Sequence, residues 1–414
     1  MKEQTTIPKR FIGLDVHKHY LIALGVDADL KVVLSAKRVE FTHLETWMQK
    51  TLTKQDEVVI EMTTNTWELY DELSPYVQSV TVVHPPHVAL ITRSQVMTDK
   101  IAAHTLAKLL AKGLLVGIWV PPQEVRELRA LVAQRTKITR LATQAKNRLH
   151  ALLQRHHMTP PAGNLFHTDK DQWWQALPLG KLEQINLHSD LDTLRFAETQ
   201  LARLTTMMND LAAQDERVMR LIHLPGFGVV TALTVLAAIG EIARFPDAKH
   251  LVGYAGLGAR IHDSGLTTRT GKITKAGRKD LRAALVEAAQ TATNTHPHWK
   301  AELKRLEPHL GRNKAIVAIA RKLLVAVWHV LTHQSTDRFA EPEIVARKLM
   351  QFTYQIGKRN RPVDQSTAQF VRKQLDALRL GSDLSAIPWG TKKKPIPLPP
   401  SALLQKKVSD VPNT

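Results

Sequence analysis

Three acidic residues stand where they could bind a divalent cation. Asp15 follows the apolar run 11–14 and Glu61 ends a similar run, so each is expected at the end of a buried strand, and Asp99 begins a predicted helix over 98–112. Convergent carboxylates repel one another unless a cation neutralises them, and two bound cations can promote attack on a phosphodiester. The acids could equally be helix caps, surface charges or salt-bridge partners.

A second group of reactive residues surrounds Ser264, which precedes Gly265 in a glycine-rich stretch, 253–277, that is expected to form loops. Glycine gives a phosphate access to the hydroxyl, but serine needs a base or a metal to become a nucleophile. The basic residues that follow would stabilise a phosphoryl group; they are Arg269, Lys272, Lys275, Arg278, Lys279 and Arg282. Alternatively, Ser264 is a turn residue and the basic run a non-catalytic phosphate clamp.

The composition favours a folded protein with a polyanionic partner. Lys and Arg number 57 against 38 Asp and Glu, which gives a formal charge of +19 and indicates nucleic acid before other partners. The chain has no cysteine, so disulfides, thiolate metal sites and a cysteine nucleophile are excluded. Its 414 residues, 43% of them hydrophobic, predict two or three domains.

The elements that must position these residues fall into four blocks. Strands alternating with helices over 9–120 predict an α/β domain. Apolar residues spaced by three and four predict two long helices, 123–155 and 190–221, in a helical hairpin or coiled coil over 121–220. The block 221–335 is mainly helical and carries the serine. The basic extension 336–414 is expected to be partly disordered, with 380–414 mostly extended or disordered and its basic side chains free for phosphates.

No membrane span is expected. The uncharged segment 221–240 contains Pro225 and three glycines, which favours a buried helix, and the N-terminus lacks the pattern of a secretory signal. We therefore expect a cytoplasmic protein.

Three smaller motifs have two interpretations each. Gly226 and Gly228 stand in a Pro-Gly-x-Gly turn that resembles a helix-hairpin-helix module, whose amides contact a DNA phosphate; such turns also occur without DNA. Trp173-Trp174 could stack on RNA or pack the hairpin, and packing is favoured. His329 and His333 have metal-ligand spacing, but an ordinary helix-face pair is favoured.

Two segments resemble a known family. The stretch Ile12-Gly13-Leu14-Asp15-Val16-His17-Lys18, then Glu61, then Met97-Thr98-Asp99-Lys100-Ile101, resembles the N-terminal domain of the DEDD transposases of insertion sequences, which act as bridge-RNA-guided DNA recombinases. The resemblance implies an RNase-H-like (RuvC-type) fold and Mg²⁺ bound by four acids, among them Asp15, Glu61 and Asp99. Residues 220–300 resemble the family's C-terminal transposase domain. This match implies that Ser264 attacks DNA and leaves a covalent 5′-phosphoserine and a free 3′-hydroxyl.

The chain departs from the family pattern at one position. The fourth acid should stand three residues after Asp99, where this chain has Ala102. An engineered inactivating substitution, a natural loss, or a fourth ligand from elsewhere, such as His104, would each explain it, and the first is favoured. We expect weakened metal binding and little or no strand transfer.

The implied partners are a non-coding bridge RNA and two double-stranded DNAs, donor and target. The family also implies a homo-oligomer, a dimer or a tetramer on DNA, whose active site combines Ser264 with distant acids. Two alternatives remain open. One is a structure-selective, metal-dependent nuclease of the Holliday-junction-resolvase type, and the other is a non-catalytic nucleic-acid-binding scaffold.

Overall fold

The computed structural model describes residues 9–86, 88, 98–264, 267–360 and 365–400, without the side chains of 261–264, 267–270 and 359. The chain divides into two compact units, Met1–Pro122 and Gln123–Thr414. The first unit contains the acids Asp15, Glu61 and Asp99, and the second contains Ser264.

A five-stranded mixed sheet forms the centre of the first unit. Its strands are β1 (Phe11–Val16), β2 (Tyr20–Val26), β3 (Val32–Glu40), β4 (Glu57–Glu61) and β5 (Ser79–Val83). They lie in the order β3-β2-β1-β4-β5; the first three strands are antiparallel, and β4 and β5 run parallel to β1. β1 and β4 are nearly continuous apolar runs because they are covered on both faces. The predicted α/β architecture is confirmed.

Three described helices accompany this sheet: α1 (Leu44–Thr51), α2 (Thr66–Leu73) and α3 (Asp99–Ala111). Helix α3 packs on β1 so closely that a Cβ atom at Gly13 would lie 2.0 Å from the carbonyl oxygen of Ala103. Ala103 and Ala107 have no exposed surface. Small residues on both elements therefore bring the helix close to the strand that carries Asp15.

The second unit begins with the predicted helical hairpin, formed by α4 (Gln123–Arg155) and α6 (Lys181–Gln214), with the short α5 (Asp171–Gln175) between them. The first helix has the predicted bounds. The second begins earlier than predicted and ends at Gln214, because Asp215 is extended and caps the next helix through its side chain. Trp174 is buried and its indole N–H donates to the Leu165 carbonyl over 3.1 Å, so this tryptophan packs the hairpin.

A helical core follows the hairpin. Its helices are α7 (Glu216–Ile222), α8 (Val229–Ile239), α9 (Ala248–Tyr254), α10 (Lys279–Thr295), α11 (Pro297–Leu310) and α12 (Arg312–His333). The uncharged segment 221–240 contributes α8, which is almost wholly buried, as predicted. Of the described helices, α12 alone is long and apolar enough to cross a membrane, but half of its most apolar window is buried inside this unit, and it packs on α10 and α11.

The interpretation of 253–277 as loops was wrong for most of that stretch. Residues 259–264 and 267–273 form an antiparallel hairpin of β6 (Ala259–Ser264) and β7 (Thr267–Ile273). These strands are largely polar, so they lack the apolar alternation that marks a strand in sequence. Their backbone ladder and their threonines, which favour extended structure, define the hairpin.

Residues 380–400, which were expected to be extended or disordered, are ordered and include two extended strands. The extension forms α13 (Pro342–Ile356), α14 (Thr367–Ala377) and a hairpin of β8 (Ala386–Trp389) and β9 (Lys392–Pro395). It folds because side chains such as Ile387 and Ile396 join the main core. Its basic side chains are also not all free: Arg372 is 4% exposed and donates to the carbonyls of Gly381 and Leu380 over 2.8 and 3.0 Å. Residues 401–414 lie outside the described residues.

Candidate active site

Asp15 and Glu61 lie next to each other at one edge of the sheet. Strands β1 and β4 are parallel with Leu14 opposite Ile60, so the acid that follows each apolar residue is at the same level. Asp99 reaches this edge as the first residue of α3, after Thr98 caps the helix by accepting from the Ile101 amide. The carboxyl ends of parallel strands are a common position for ligand sites.

His17 joins two of these acids, although no role was predicted for it. Its Nε2 atom lies 3.3 Å from Asp15 Oδ2 and 3.2 Å from Asp99 Oδ2. The Tyr20 hydroxyl donates to Asp99 Oδ2 over 3.2 Å, and the rings of Tyr20 and His17 stack with centroids 4.6 Å apart. The signal that could have found His17 is its position two residues after Asp15, which places both on one face of an extended chain.

The electrostatics of the acids suit a bound cation. Burial raises the pKa of Asp15; His17 opposes this shift, while the nearby charge of Asp99 adds to it. Burial raises the pKa of Glu61, and the charge of Asp15 adds to that effect. Half-buried carboxylates with raised pKa values are neutralised well by a divalent cation, which prefers their oxygen atoms. Asp15, Asp99 and His17 therefore fit a divalent metal site, whereas the predicted ligand Glu61 lies beside Asp15 but outside the group of atoms that could share one ion.

Neither residue discussed as the fourth ligand joins this group. Ala102 lies one turn after Asp99 on α3, and its methyl group offers no donor atom. The Nε2 atom of His104 is buried without a hydrogen-bond partner among the described residues, and burial lowers the pKa of its imidazole, with Lys108 and Lys100 adding to the shift. Within the described part of the chain, the atoms that could share one metal ion come from Asp15, His17 and Asp99.

Ser264 is the last residue of β6, where its backbone pairs with Thr267 of β7. This places it at the tip of a hairpin rather than in an open loop, while Gly265 lies outside the described residues. Two backbone hydrogen bonds hold the base of the hairpin: the Thr274 amide donates to the Gly258 carbonyl over 2.8 Å and the Arg278 amide to the Tyr254 carbonyl over 3.0 Å.

The predicted phosphate-binding residues surround this hairpin in different states. Lys272, Lys275 and Lys279 are exposed. Arg278 is half-buried in a two-point ion pair with Asp280, at 2.5 and 3.0 Å. Burial alone would raise the pKa of Asp280, but the bonds from Arg278 outweigh it and lower that pKa. The backbone of Arg269 pairs with His262, and its side chain lies outside the described atoms.

A groove of about 1490 Å³ runs between the base of the hairpin and α12. Lys272 and Lys275 line it on one side and Lys314, Arg321 and Lys322 of α12 on the other. His329 and His333 also line it, with their rings stacked 5.7 Å apart. The groove therefore brings Lys272 and Lys275 of the predicted basic run opposite three cations of α12 that lie outside that run.

The two predicted turn glycines have different surroundings. A Cβ atom at Gly226 would lie 2.0 Å from the Ala288 carbonyl oxygen, and its φ is +79°, so this glycine is required for packing against α10. Gly228 has open space around its Cα and precedes α8. The segment runs α7–turn–α8, and Gly228 is exposed whereas Gly226 is packed against α10.

Two transposase sequence models match most of the functional regions. A transposase model of the DEDD type, from IS110 elements, matches residues 12–158, and the model described as transposase IS116/IS110/IS902 family matches residues 218–304. The chain belongs to the IS116/IS110/IS902 family of transposases. The first match contains Asp15, Glu61 and Asp99, and the second contains Ser264.

Curated relatives of this transposase agree with that assignment. The transposase for insertion sequence element IS1111A of Coxiella burnetii is 25% identical over 343 residues, which is 80% of this chain and 91% of the relative. The pilin gene-inverting protein of Moraxella bovis is 27% identical over 336 residues, 78% of this chain and 96% of the relative. The name of the Moraxella protein describes inversion of a pilin gene.

Proposed function

We propose that this transposase cuts and rejoins DNA through Ser264, assisted by Mg²⁺ bound at Asp15, Glu61 and Asp99. The observation that carries the proposal is that Asp15 and Glu61 follow the paired residues of β1 and β4, while a carboxylate oxygen of Asp99, at the start of α3, lies within 4.8 Å of one of Asp15. The sheet supports an RNase-H-like, RuvC-type assignment, because three antiparallel strands followed by two parallel ones in the order β3-β2-β1-β4-β5 are typical of that fold.

In the proposed reaction the phosphate passes from one ester bond to another, so the energy of the phosphodiester is kept for rejoining the DNA. The Ser264 oxygen attacks the phosphorus, the bond to the 3′-oxygen breaks, and the departing 3′-oxygen takes up a proton. The product is a 5′-phosphoserine and a free 3′-hydroxyl, and attack by another 3′-hydroxyl regenerates serine. Lys272, Lys275 and Lys279 hold the phosphates, and the acids would hold a Mg²⁺ ion that, when bound, would supply Lewis-acid polarisation of the phosphoryl oxygens.

We also propose the partners that the family resemblance implies. A structured bridge RNA would select donor and target DNA by base pairing while the protein supplies charge and chemistry, as in other guided systems. The net charge of +19 supports binding of both nucleic acids. Because the acids and Ser264 belong to different units, a homo-oligomer could combine residues of two protomers. Such a protein would act in the bacterial cytoplasm.

A covalent-adduct assay tests the serine. The protein, both as it stands and with Ala102→Asp, is incubated with labelled DNA of the element's ends, the co-purified RNA and Mg²⁺, and adducts are resolved on a denaturing gel. Ser264→Ala should abolish the adduct and leave DNA and RNA binding in gel-shift assays unchanged, because only the attacking oxygen is removed. Ser335→Ala is the matched control, since Ser335 is an exposed serine of the neighbouring groove, and it should retain the adduct.

The products separate the alternatives. Hydrolysed ends without an adduct would identify a metal-dependent nuclease in which Ser264 is incidental. No product from the wild type and none from Ala102→Asp would identify a nucleic-acid-binding scaffold. A gain of activity in Ala102→Asp alone would bear out the predicted impairment by Ala102. Sequencing of co-purified RNA tests the guide, because bulk cellular RNA without a discrete species would contradict it.

A further inference from the structure

The imidazole of His17 points at two acids of the proposed metal site. Its Nε2 atom is 3.3 Å from Asp15 Oδ2 and 3.2 Å from Asp99 Oδ2, and the three atoms lie within 4.8 Å of one another. Ligands at roughly 2.1 Å from one octahedral ion lie about 3 Å apart. The spacing of these atoms therefore suits three ligands of a single cation.

We infer that His17 is a nitrogen ligand of the cation held by Asp15 and Asp99, and that it raises the affinity of the site for Co²⁺ relative to Mg²⁺. This inference rests on the proposed metal site and specifies its donors. Imidazole suits transition metals, whereas Mg²⁺ prefers carboxylate and water oxygens. A site with one imidazole in place of a carboxylate should be more tolerant of transition metals than a site with oxygen donors alone.

Neighbouring side chains hold the ring in position. Tyr20 stacks on His17 with an interplanar angle of 25° and donates its hydroxyl to Asp99. The guanidinium of Arg38 lies 3.7 Å from the centre of the Tyr20 ring, a cation–π contact that fixes the tyrosine in turn. Residues that orient metal ligands in this way typically account for 10–100-fold in affinity. His17 thus has the supported orientation expected of a ligand.

Helix α3 offers no competing metal ligand at the position three residues after Asp99. Ala102, one turn after Asp99, ends in a methyl group, and His104 is not part of the group of atoms that could share a metal ion within the described residues. The structure thus favours a donor supplied from elsewhere, one of the explanations for Ala102, but with His17 as the residue.

Electron spin echo envelope modulation of bound Mn²⁺ provides a direct test. A coordinated imidazole gives a ¹⁴N modulation that carboxylates and water do not give. We expect the modulation in the full-length wild type and in His19→Ala and His104→Gln, and its loss in His17→Ala. His19 is the matched control because it is exposed and two residues away.

Calorimetric titrations with Co²⁺ and Mg²⁺ test the selectivity. His17→Ala should weaken Co²⁺ binding by about tenfold or more, and Mg²⁺ binding by less than about threefold. Ala102→Asp should strengthen Mg²⁺ binding without removing the ¹⁴N modulation, because it adds an oxygen donor.

The outcomes separate this inference from the proposed function. If Mn²⁺ does not bind, the proposed metal site is wrong. If Mn²⁺ binds and Asp15→Asn abolishes binding, but the wild type shows no ¹⁴N modulation, the metal site stands and the role of His17 is refuted. A modulation lost in His104→Gln instead of His17→Ala would refute it as well. The wild-type spectrum decides the matter even if His17→Ala does not fold.

Discussion

Replacing Gly13 with alanine should move α3 away from β1 and open the metal site. The new methyl group would lie 2.0 Å from the Ala103 carbonyl oxygen and 2.7 Å from the Ala107 backbone nitrogen. Both are backbone atoms of a helix, so rotation of a side chain cannot relieve the overlap. To reach an ordinary contact of roughly 3.4 Å, the helix must withdraw by about 1 Å or more.

This displacement has consequences for both stability and chemistry. Over-packing of a filled core costs about 1–3 kcal/mol. Asp99 begins the same helix, so its contacts of 3.2 Å with His17 and with Tyr20 would lengthen beyond hydrogen-bonding range. Misplacement of a catalytic group by about 1 Å can cost roughly 10²-fold in rate. We therefore expect a modest loss of stability and a large loss of adduct formation.

Urea unfolding and the initial rate of the Ser264 adduct, measured with and without Ala102→Asp, report the two effects separately. Gly253→Ala is the control, because Gly253 lies in α9 with open space around it; it should keep the wild-type rate and gain up to about 1 kcal/mol. A Gly13→Ala protein with wild-type stability and wild-type rate would refute the argument that the close approach of α3 to β1 assembles the site.

Two further predictions concern charges within each unit. Asp56→Ala should lower the free energy of unfolding in urea by about 3–5 kcal/mol, because Asp56 is fully buried and accepts two hydrogen bonds from Arg10 at 2.6 and 2.7 Å. The double variant Arg10→Met/Asp56→Leu should recover most of that loss. A loss well below this range in Asp56→Ala would contradict the reasoning. Burial lowers the pKa of Lys348 to about 7 from 10.5, and its ammonium donates to the Leu224 carbonyl. Between pH 7 and pH 10.5 the Lys348 side chain is protonated in the unfolded chain and neutral in the folded protein. The free energy of unfolding of the wild type should therefore rise from pH 7 to pH 10 by up to about 1.4 kcal/mol per pH unit. Lys348→Met should remove that slope, and an unchanged slope would show that Lys348 is charged in the folded protein.

Several features of the protein follow from local sequence alone. The apolar runs before Asp15 and Glu61 predict strands that end in acids, and the spacing of apolar residues gives the bounds of the helix 123–155. These signals are readable because periodicity records which face of an element is buried. The family could also be inferred, since the stretches that carry the resemblance, such as 12–18 and 97–101, are each short and contiguous.

Other features depend on contacts between distant residues. The hairpin 259–273 has no apolar alternation, and the folding of 336–400 depends on a few side chains such as Ile387 that reach a core formed by the preceding helices. Neither is visible in a local window, because the stabilising partner is elsewhere in the chain.

The candidate site combines both kinds of information. The sequence supplied its acids, but only the tertiary structure brought His17 between Asp15 and Asp99. That convergence depends on the parallel register of β1 and β4 and on a glycine that lets α3 approach the sheet. The donor set of a metal site is therefore decided by packing, because ligands must meet within a few ångströms while their spacing along the chain is unconstrained.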